Sequence, residues 1–198
     1  MSIKKIVYGP IVAMLYKKAL NSSAKEYVLE DLRLWSEKMY GKQLPEKEVF
    51  FNKMLYDPKF RTLFYHRIKC RDTIKKMLPP ADLLFIRTTT EIAPGGAYFV
   101  HPWCTRIGAK RIGKNCTFRH LTTIGSNGDP KKMAETPIIG DNVDVGCLCG
   151  IFGDIVIGNN VKIGAGSIIT KDVPDNCVVV GNPARIIKQN GIRVNIPL

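Results

Sequence analysis

Three histidines, His66, His101 and His120, are the side chains best suited to moving a proton near neutral pH, because imidazole ordinarily titrates there. A neutral imidazole beside a hydroxyl can serve as a general base. His66 falls in an apolar, helix-patterned stretch and reads as structural. His101, in FVHPW, falls where the pattern is least regular, and His120 lies in FRHLTTIG. Metal chemistry asks for more. Cys147 and Cys149, in GCLCG, could begin a zinc site, but no second Cys or His pair stands at finger-like spacing, so they read as small buried side chains. Cys70, Cys104, Cys116 and Cys177 are scattered, as reduced thiols of a cytoplasmic protein would be.

The elements around these residues follow two different periods. From about residue 20 to 86 the spacing is helical. Ser22 or Ser23 can cap a helix carrying Tyr27, Leu29, Leu32, Leu34 and Trp35 toward a core. Pro45 can start a second helix with Val49, Phe50 and Leu55, which Asp57-Pro58 breaks. Phe60, Leu63, Phe64 and Ile68 form a third stripe, stopped by Pro79-Pro80.

After about Thr88, six-residue steps take over. They run Ile112, Phe118, Ile124 and, after an interruption, Ile139, Val145, Ile151, Ile157, Ile163 and Ile169; glycine follows six of these nine. Four residues after these positions, away from the interruption, stand Cys116, Thr122, Val143, Cys149, Ile155, Val161, Ser167 and Val173, all small or β-branched. A period of six is neither helical nor that of an ordinary strand. It is the mark of a hexapeptide β-helix, in which three hexads close one triangular turn and each aliphatic stacks on its counterpart one turn away. Glycine, Asn or Asp after the aliphatic is expected to relieve positive-φ strain at the corner. The expected organisation is a helical domain over 1–87, a left-handed parallel β-helix over 88–187 with an extruded loop over 126–137, and a tail over 188–198. SNGDPKKMAETP, within that loop, carries the turn signals Asn127-Gly128 and Asp129-Pro130.

The chain has 198 residues and a net charge of +13. Residues 1–90 hold 18 Lys/Arg against 9 Asp/Glu, and residues 91–198 hold 12 against 8. That excess favours anionic partners, but no nucleic-acid reader motif accompanies it. IVYGPIVAMLY, between Lys4-Lys5 and Lys17-Lys18, is too short to span a membrane and is expected to be interrupted at Gly9-Pro10. A packed helix is the default for it, with a membrane-surface contact as the minor alternative.

The motifs TEIAP (90–94), VHPWCTRIG (100–108), TTIGSNG (122–128), PIIGDNVDVG (137–146), KIGAGSIITKDVPDN (162–176) and VVVGNPARII (178–187) resemble the hexapeptide-repeat acyltransferase superfamily, in its serine acetyltransferase-like branch. The resemblance implies an acetyl-CoA-dependent O-acetyltransferase. It also implies a homotrimer or stacked hexamer with acetyl-CoA lying between neighbouring coils. His101 matches the base histidine of that family and Glu91 the acidic residue that orients it, although the segment joining them is short. His120, where relatives often carry glutamine, is assigned with Arg119 and Trp103 to the acceptor. Gly125, Ser126, Gly146, Cys147, Ala165 and Ser167 match positions lining the acetyl-CoA groove. Lys171, Arg185 and Lys188 are candidates for its phosphates.

The departures bear on the acceptor. Serine acetyltransferases carry an Arg-His pair just before the PxIG corner, whereas here Glu135 and Thr136 stand there. The expected acceptor is therefore a sugar hydroxyl of capsule or exopolysaccharide synthesis, with serine as the alternative. Two other classes stay open. A metal enzyme resembling γ-class carbonic anhydrases would need a third coil histidine, and no metal is expected. A non-catalytic trimeric scaffold would tolerate loss of His101.

Overall fold

The computed structural model describes residues 3–128 and 135–198, in two units, one ending at Asp82 and the other spanning Leu83–Leu198. The first unit is helical: α1 (Ile3–Leu20), α2 (Lys25–Tyr40), α3 (Glu46–Tyr56), α4 (Pro58–Ile68) and α5 (Asp72–Met77). Trp35, Phe50, Phe60 and Phe64 fill its core, with Trp35 edge-on to Phe60 at 5.3 Å and Phe50 edge-on to Phe64 at 5.1 Å. Asp57 caps α4, accepting from the Lys59 and Phe60 N–H groups at 3.1 and 3.4 Å, and Pro58 follows at the first helical position.

Three expectations for this unit need correction. Neither Ser22 nor Ser23 caps α2; Ala24 holds that position, and the Ser22 hydroxyl instead donates to the Ala19 carbonyl at 2.8 Å. Tyr27 is on the solvent side, and Val28 takes the core position. α1 continues through Gly9-Pro10, because Pro10 lies on an exposed side where water can take up the carbonyl that loses its N–H partner. No described helix is long and apolar enough to cross a membrane.

The second unit is a left-handed parallel β-helix of about five turns, whose strands form three faces. The first face stacks β1 (Leu84–Ile86), β4 (Thr105–Ile107), β7 (Thr123–Gly125), β10 (Gly150–Phe152) and β13 (Ile168–Ile169). The second stacks β2 (Glu91–Ile92), β5 (Arg111–Ile112), β8 (Ile138–Ile139) and β11 (Val156–Ile157). The third stacks β3 (Ala97–Val100), β6 (Cys116–Arg119), β9 (Asp144–Val145), β12 (Lys162–Ile163) and β14 (Cys177–Val180). The antiparallel strands β15 (Arg185–Gln189) and β16 (Ile192–Pro197) extend this last face. The segment read as a tail over 188–198 is thus largely sheet, and β1 places the first coil strand ahead of residue 88.

Every aliphatic of the six-residue series is buried, and so, away from the interruption, is every residue four places later. The corners between the second and third faces work differently from the expectation. Gly113, Gly140 and Gly158 do not take positive φ; their missing Cβ lets the next turn approach. A Cβ on Gly140 would sit 2.8 Å from the Gly158 carbonyl oxygen. The following N–H groups, of Lys114, Asp141 and Asn159, donate to Asp141, Asn159 and Asp175 one turn on, at 2.7, 2.8 and 2.7 Å. The left-handed residue is the Asn two places after the glycine. Asn115, Asn142, Asn160, Asn176 and, beyond the coil, Asn190 have φ between 49° and 58°, and their side-chain amides bond in a ladder at 2.9, 3.1, 2.9 and 3.2 Å. Asparagine tolerates that backbone and supplies both donor and acceptor for the ladder.

The coil also begins earlier than its clean repeat. Ile86 pairs with Ile107 and Phe99 with Phe118, while Ile92 pairs with Ile112. The steps Ile86, Ile92, Phe99, Ile107 and Ile112 are of six, seven, eight and five residues, so a strict period of six passes over them.

Candidate functional site

The step of eight, from Phe99 to Ile107, contains His101. Val100 is in register with Arg119, and the Leu121 N–H donates to the Trp103 carbonyl at 2.8 Å, so Trp103 stacks on His120. His101 and Pro102 are therefore two residues more than the next turn has at this corner, and they bulge out of it. The bulge is bent tightly: His101 has φ 47°, and its carbonyl accepts the Trp103 N–H at 2.6 Å. The His101 side chain is exposed, and the Trp103 side chain is 62% exposed.

Below the bulge the corner is a regular column. Leu148 N–H donates to the His120 carbonyl at 3.0 Å and Gly166 N–H to the Cys147 carbonyl at 2.9 Å. Trp103, His120, Cys147 and Ala165 thus occupy equivalent places in successive turns. The residue after each, Cys104, Leu121, Leu148 and Gly166, has a positive φ of 49°, 58°, 60° and 73°. Thr105, fully buried, braces the top of the column, its hydroxyl 3.3 Å from both the Trp103 and Arg119 carbonyls.

Arg119 points outward from β6, where its guanidinium bonds to the Asp144 carboxylate and to the Val145 carbonyl, the latter at 3.2 Å. Sequence reasoning passed over Asp144. Its place opposite Thr117 becomes visible only once the length of the interrupting loop is known.

The coil does not bring Glu91 to His101. Glu91 lies on β2, on the second face and in register with Arg111, whereas His101 occupies the corner between the third and first faces. No hydrogen bond or ion pair joins the two within the chain. The short intervening segment puts Glu91 on the wrong face for that contact. His66 stands apart on α4 in the helical unit.

The groove candidates separate in the same way. Cys147 and Ala165 belong to the column beside His120. Gly125 and Ser126 lie at the far edge of the first face, where a Cβ on Gly125 would meet nothing within 4 Å. Lys171 is exposed just after β13, near that same edge, and Lys188 is exposed on β15. Gly146 and Ser167 are packed within the coil. Gly146 is buried, with a Cβ there falling 2.6 Å from the Ala165 nitrogen. Ser167 is fully buried, donating to the Gly164 carbonyl at 2.6 Å and accepting from the Gly181 N–H at 3.0 Å. The Arg185 guanidinium is engaged by Asn195, at 2.5 Å to its side chain and 3.3 Å to its carbonyl.

Burial pushes the Cys149 thiol above its ordinary range, so it remains protonated and is no nucleophile at neutral pH. Among the described residues, no group of three or more His, Cys, Asp or Glu side chains is placed to hold a metal ion. Of the loop expected over 126–137, residues 129–134 lie outside the described part. Glu135 is half-buried and Thr136 is 4% exposed.

No family model matches the chain. It is 35% identical over 153 residues to the serine acetyltransferase of Synechococcus elongatus, an alignment spanning 72% of this chain and 62% of that protein. It is 40% identical over 84 residues to the serine acetyltransferase of Bacillus pumilus, spanning 42% of this chain and 38% of the relative. The chain thus spans less than two thirds of these relatives. Among solved structures, the serine acetyltransferase of Neisseria gonorrhoeae superposes with a TM-score of 0.69 at 26% identity, covering 91% of this chain and 71% of that one. The Brucella abortus serine acetyltransferase, solved in complex with coenzyme A, shares the fold with a TM-score of 0.69 at 21% identity, covering 96% and 84%. By sequence and by fold, the chain is similar to serine acetyltransferases.

Proposed function

We propose that the chain transfers an acetyl group from acetyl-CoA to a hydroxyl acceptor, with His101 as general base. The observation that carries this reading is the exposed histidine on a bulge of the coil, in a chain similar to serine acetyltransferases. A thioester is already activated, so the protein has little covalent work to do. It must take the hydroxyl proton, align the oxygen and receive the charge that develops. His101 accepts the proton as the hydroxyl oxygen bonds to the thioester carbon. Backbone N–H groups near Gly125 and Ser126 hold the oxyanion; within one chain they stand across the first face from His101, so a neighbouring copy supplies them. The C–S bond then breaks, and the CoA thiolate takes the proton back from the imidazolium, giving the O-acetyl ester and free CoA thiol.

The donor is assigned to the open positions Gly125, Ser126, Cys147 and Ala165, with Lys171 and Lys188 for phosphate groups; Arg185 contributes less, because Asn195 already engages it. Small side chains at these corners leave backbone within reach of a ligand. Self-association, as a trimer that encloses this groove, is part of the proposal, since one chain leaves His101 without an acidic partner. The names of the relatives favour serine as acceptor over a sugar of capsule synthesis. A sugar hydroxyl remains the second reading on one observation: Glu135 and Thr136 stand where the family carries a basic pair for an amino-acid substrate.

A thiol-release assay with acetyl-CoA against serine, simple sugars and nucleotide sugars tests both readings. Release with serine at the highest kcat/KM supports the first, and release with a sugar alone supports the second. No release with any hydroxyl compound, together with no binding of acetyl-CoA, would falsify the proposal.

A further inference from the structure

Helix α1 carries two apolar stripes. Val12, Leu15 and Ala19 are fully buried and hold it in the helical unit. On its other side Ile3, Ile6, Val7 and Met14 are 78%, 57%, 56% and 52% exposed, and Pro10 is exposed among them. At helical spacing these five fall within about 100° of arc, a continuous strip along the helix. A contiguous apolar strip left to solvent marks a contact surface.

The charges decide what can cover it. Lys4, Lys5, Lys17 and Lys18 are exposed at the two ends of α1, and the helix contains no acidic residue. Glu46 of α3, whose charge acts on Tyr16 at the flank, faces Arg33 at 3.5 Å. A second copy of α1 laid on the strip in parallel would set Lys17 and Lys18 against their counterparts, and laid antiparallel would bury them against Ile3 and Ile6, with no carboxylate on the helix to offset them. A surface of anionic phospholipid reverses that sign at Lys17 and Lys18 while its headgroup layer takes in the apolar strip. The helix is about 27 Å long and is not apolar enough to cross a bilayer, so it would lie in the plane of the surface.

We propose that α1 is an interfacial anchor, seating the protein on an anionic phospholipid bilayer through Ile3, Ile6, Val7, Pro10 and Met14, with Lys17 and Lys18, on and beside the strip, on lipid phosphates. This site is independent of the acetyl-transfer reading and uses none of its residues.

The test is co-sedimentation of the full chain with vesicles of phosphatidylglycerol and phosphatidylcholine, and with phosphatidylcholine alone. Binding is expected to the first and to be about tenfold weaker to the second, and to fall as salt is added. Val7→Glu should cost about tenfold or more with an unchanged circular-dichroism spectrum, because a charge enters the apolar face while the packed side is untouched. Lys17→Gln and Lys18→Gln should each weaken binding about fivefold, and they keep the test open if Val7→Glu disturbs folding. Absence of binding to phosphatidylglycerol vesicles overturns the proposal. Binding that ignores all three substitutions does so too. So does a larger assembly that, by light scattering without lipid, is lost in Val7→Glu, since a second copy would then cover the strip.

Discussion

The coil from Ile139 to Ile169 and the coil from Ile86 to Ile112 are built on the same three faces, yet they differ in step. In the later turns every step is six residues, the corners pair through their Asn and Asp side chains, and little projects beyond the wall. In the earlier turns the steps vary, and the longest pushes His101 and Pro102 out of the corner while Trp103 rejoins the column above His120. Parallel stacking lets one turn absorb an insertion locally, because each turn contacts only its neighbours. The regular turns are therefore a support, and the irregular turn is where a side chain can be offered to a ligand.

The largest effect should come from the bulge. His101→Ala is expected to lower acetyl transfer by 10²–10⁴-fold, about what a general base contributes, while thermal unfolding shifts only slightly, because the side chain is exposed and only the left-handed backbone at φ 47° is touched. Full activity in His101→Ala, with activity lost in His120→Ala, would move the base down the column.

A cut in the support should behave in the opposite way. Ile157→Ala, at a fully buried wall position, should destabilise the coil by about 2–5 kcal/mol in urea unfolding, through lost burial and the cavity left behind. Val156→Ala next to it, nearly half exposed, should change stability by about 0.5 kcal/mol or less. Equal effects at the two positions would contradict the wall assignment.

The corner ladder sits between these cases. Asn142→Ala removes bonds to Asn115 and Asn160 and leaves a Cβ at φ 58° without asparagine's compensation, for an expected loss of about 1–3 kcal/mol. Asn142→Gly keeps the backbone easy and loses only the bonds, so it should be the milder change. Equal losses in the two variants in melting experiments would mean that the ladder rather than the backbone dominates the corner.

The smallest effect is expected at Glu91. Because it faces outward on the second face, Glu91→Gln should leave kcat/KM for acetyl transfer within about twofold, below 0.5 kcal/mol. A loss of a hundredfold would mean that a neighbouring copy carries Glu91 to the site.

The repeat of Ile139 to Ile169 was legible because a period of six survives in the sequence wherever no residue is inserted. From it alone followed the three-faced coil, the buried aliphatics and the small residues four places on. Helical periodicity likewise marked the first unit and its Trp35, Phe50, Phe60 and Phe64 core. The tertiary structure decided what depends on register between turns. Register showed that Ile86, Ile92, Phe99 and Ile107 already belong to the wall, that the positive φ at the corners of Asn115, Asn142 and Asn160 falls on asparagine and not on the glycine two places before, and that Asp144 meets Arg119 across the loop. It also set Glu91 and His101 on different sides of the coil. A linear spacing counts residues, whereas the face a side chain occupies depends on every insertion before it. One or two extra residues at a corner leave the composition unchanged and redirect everything that follows.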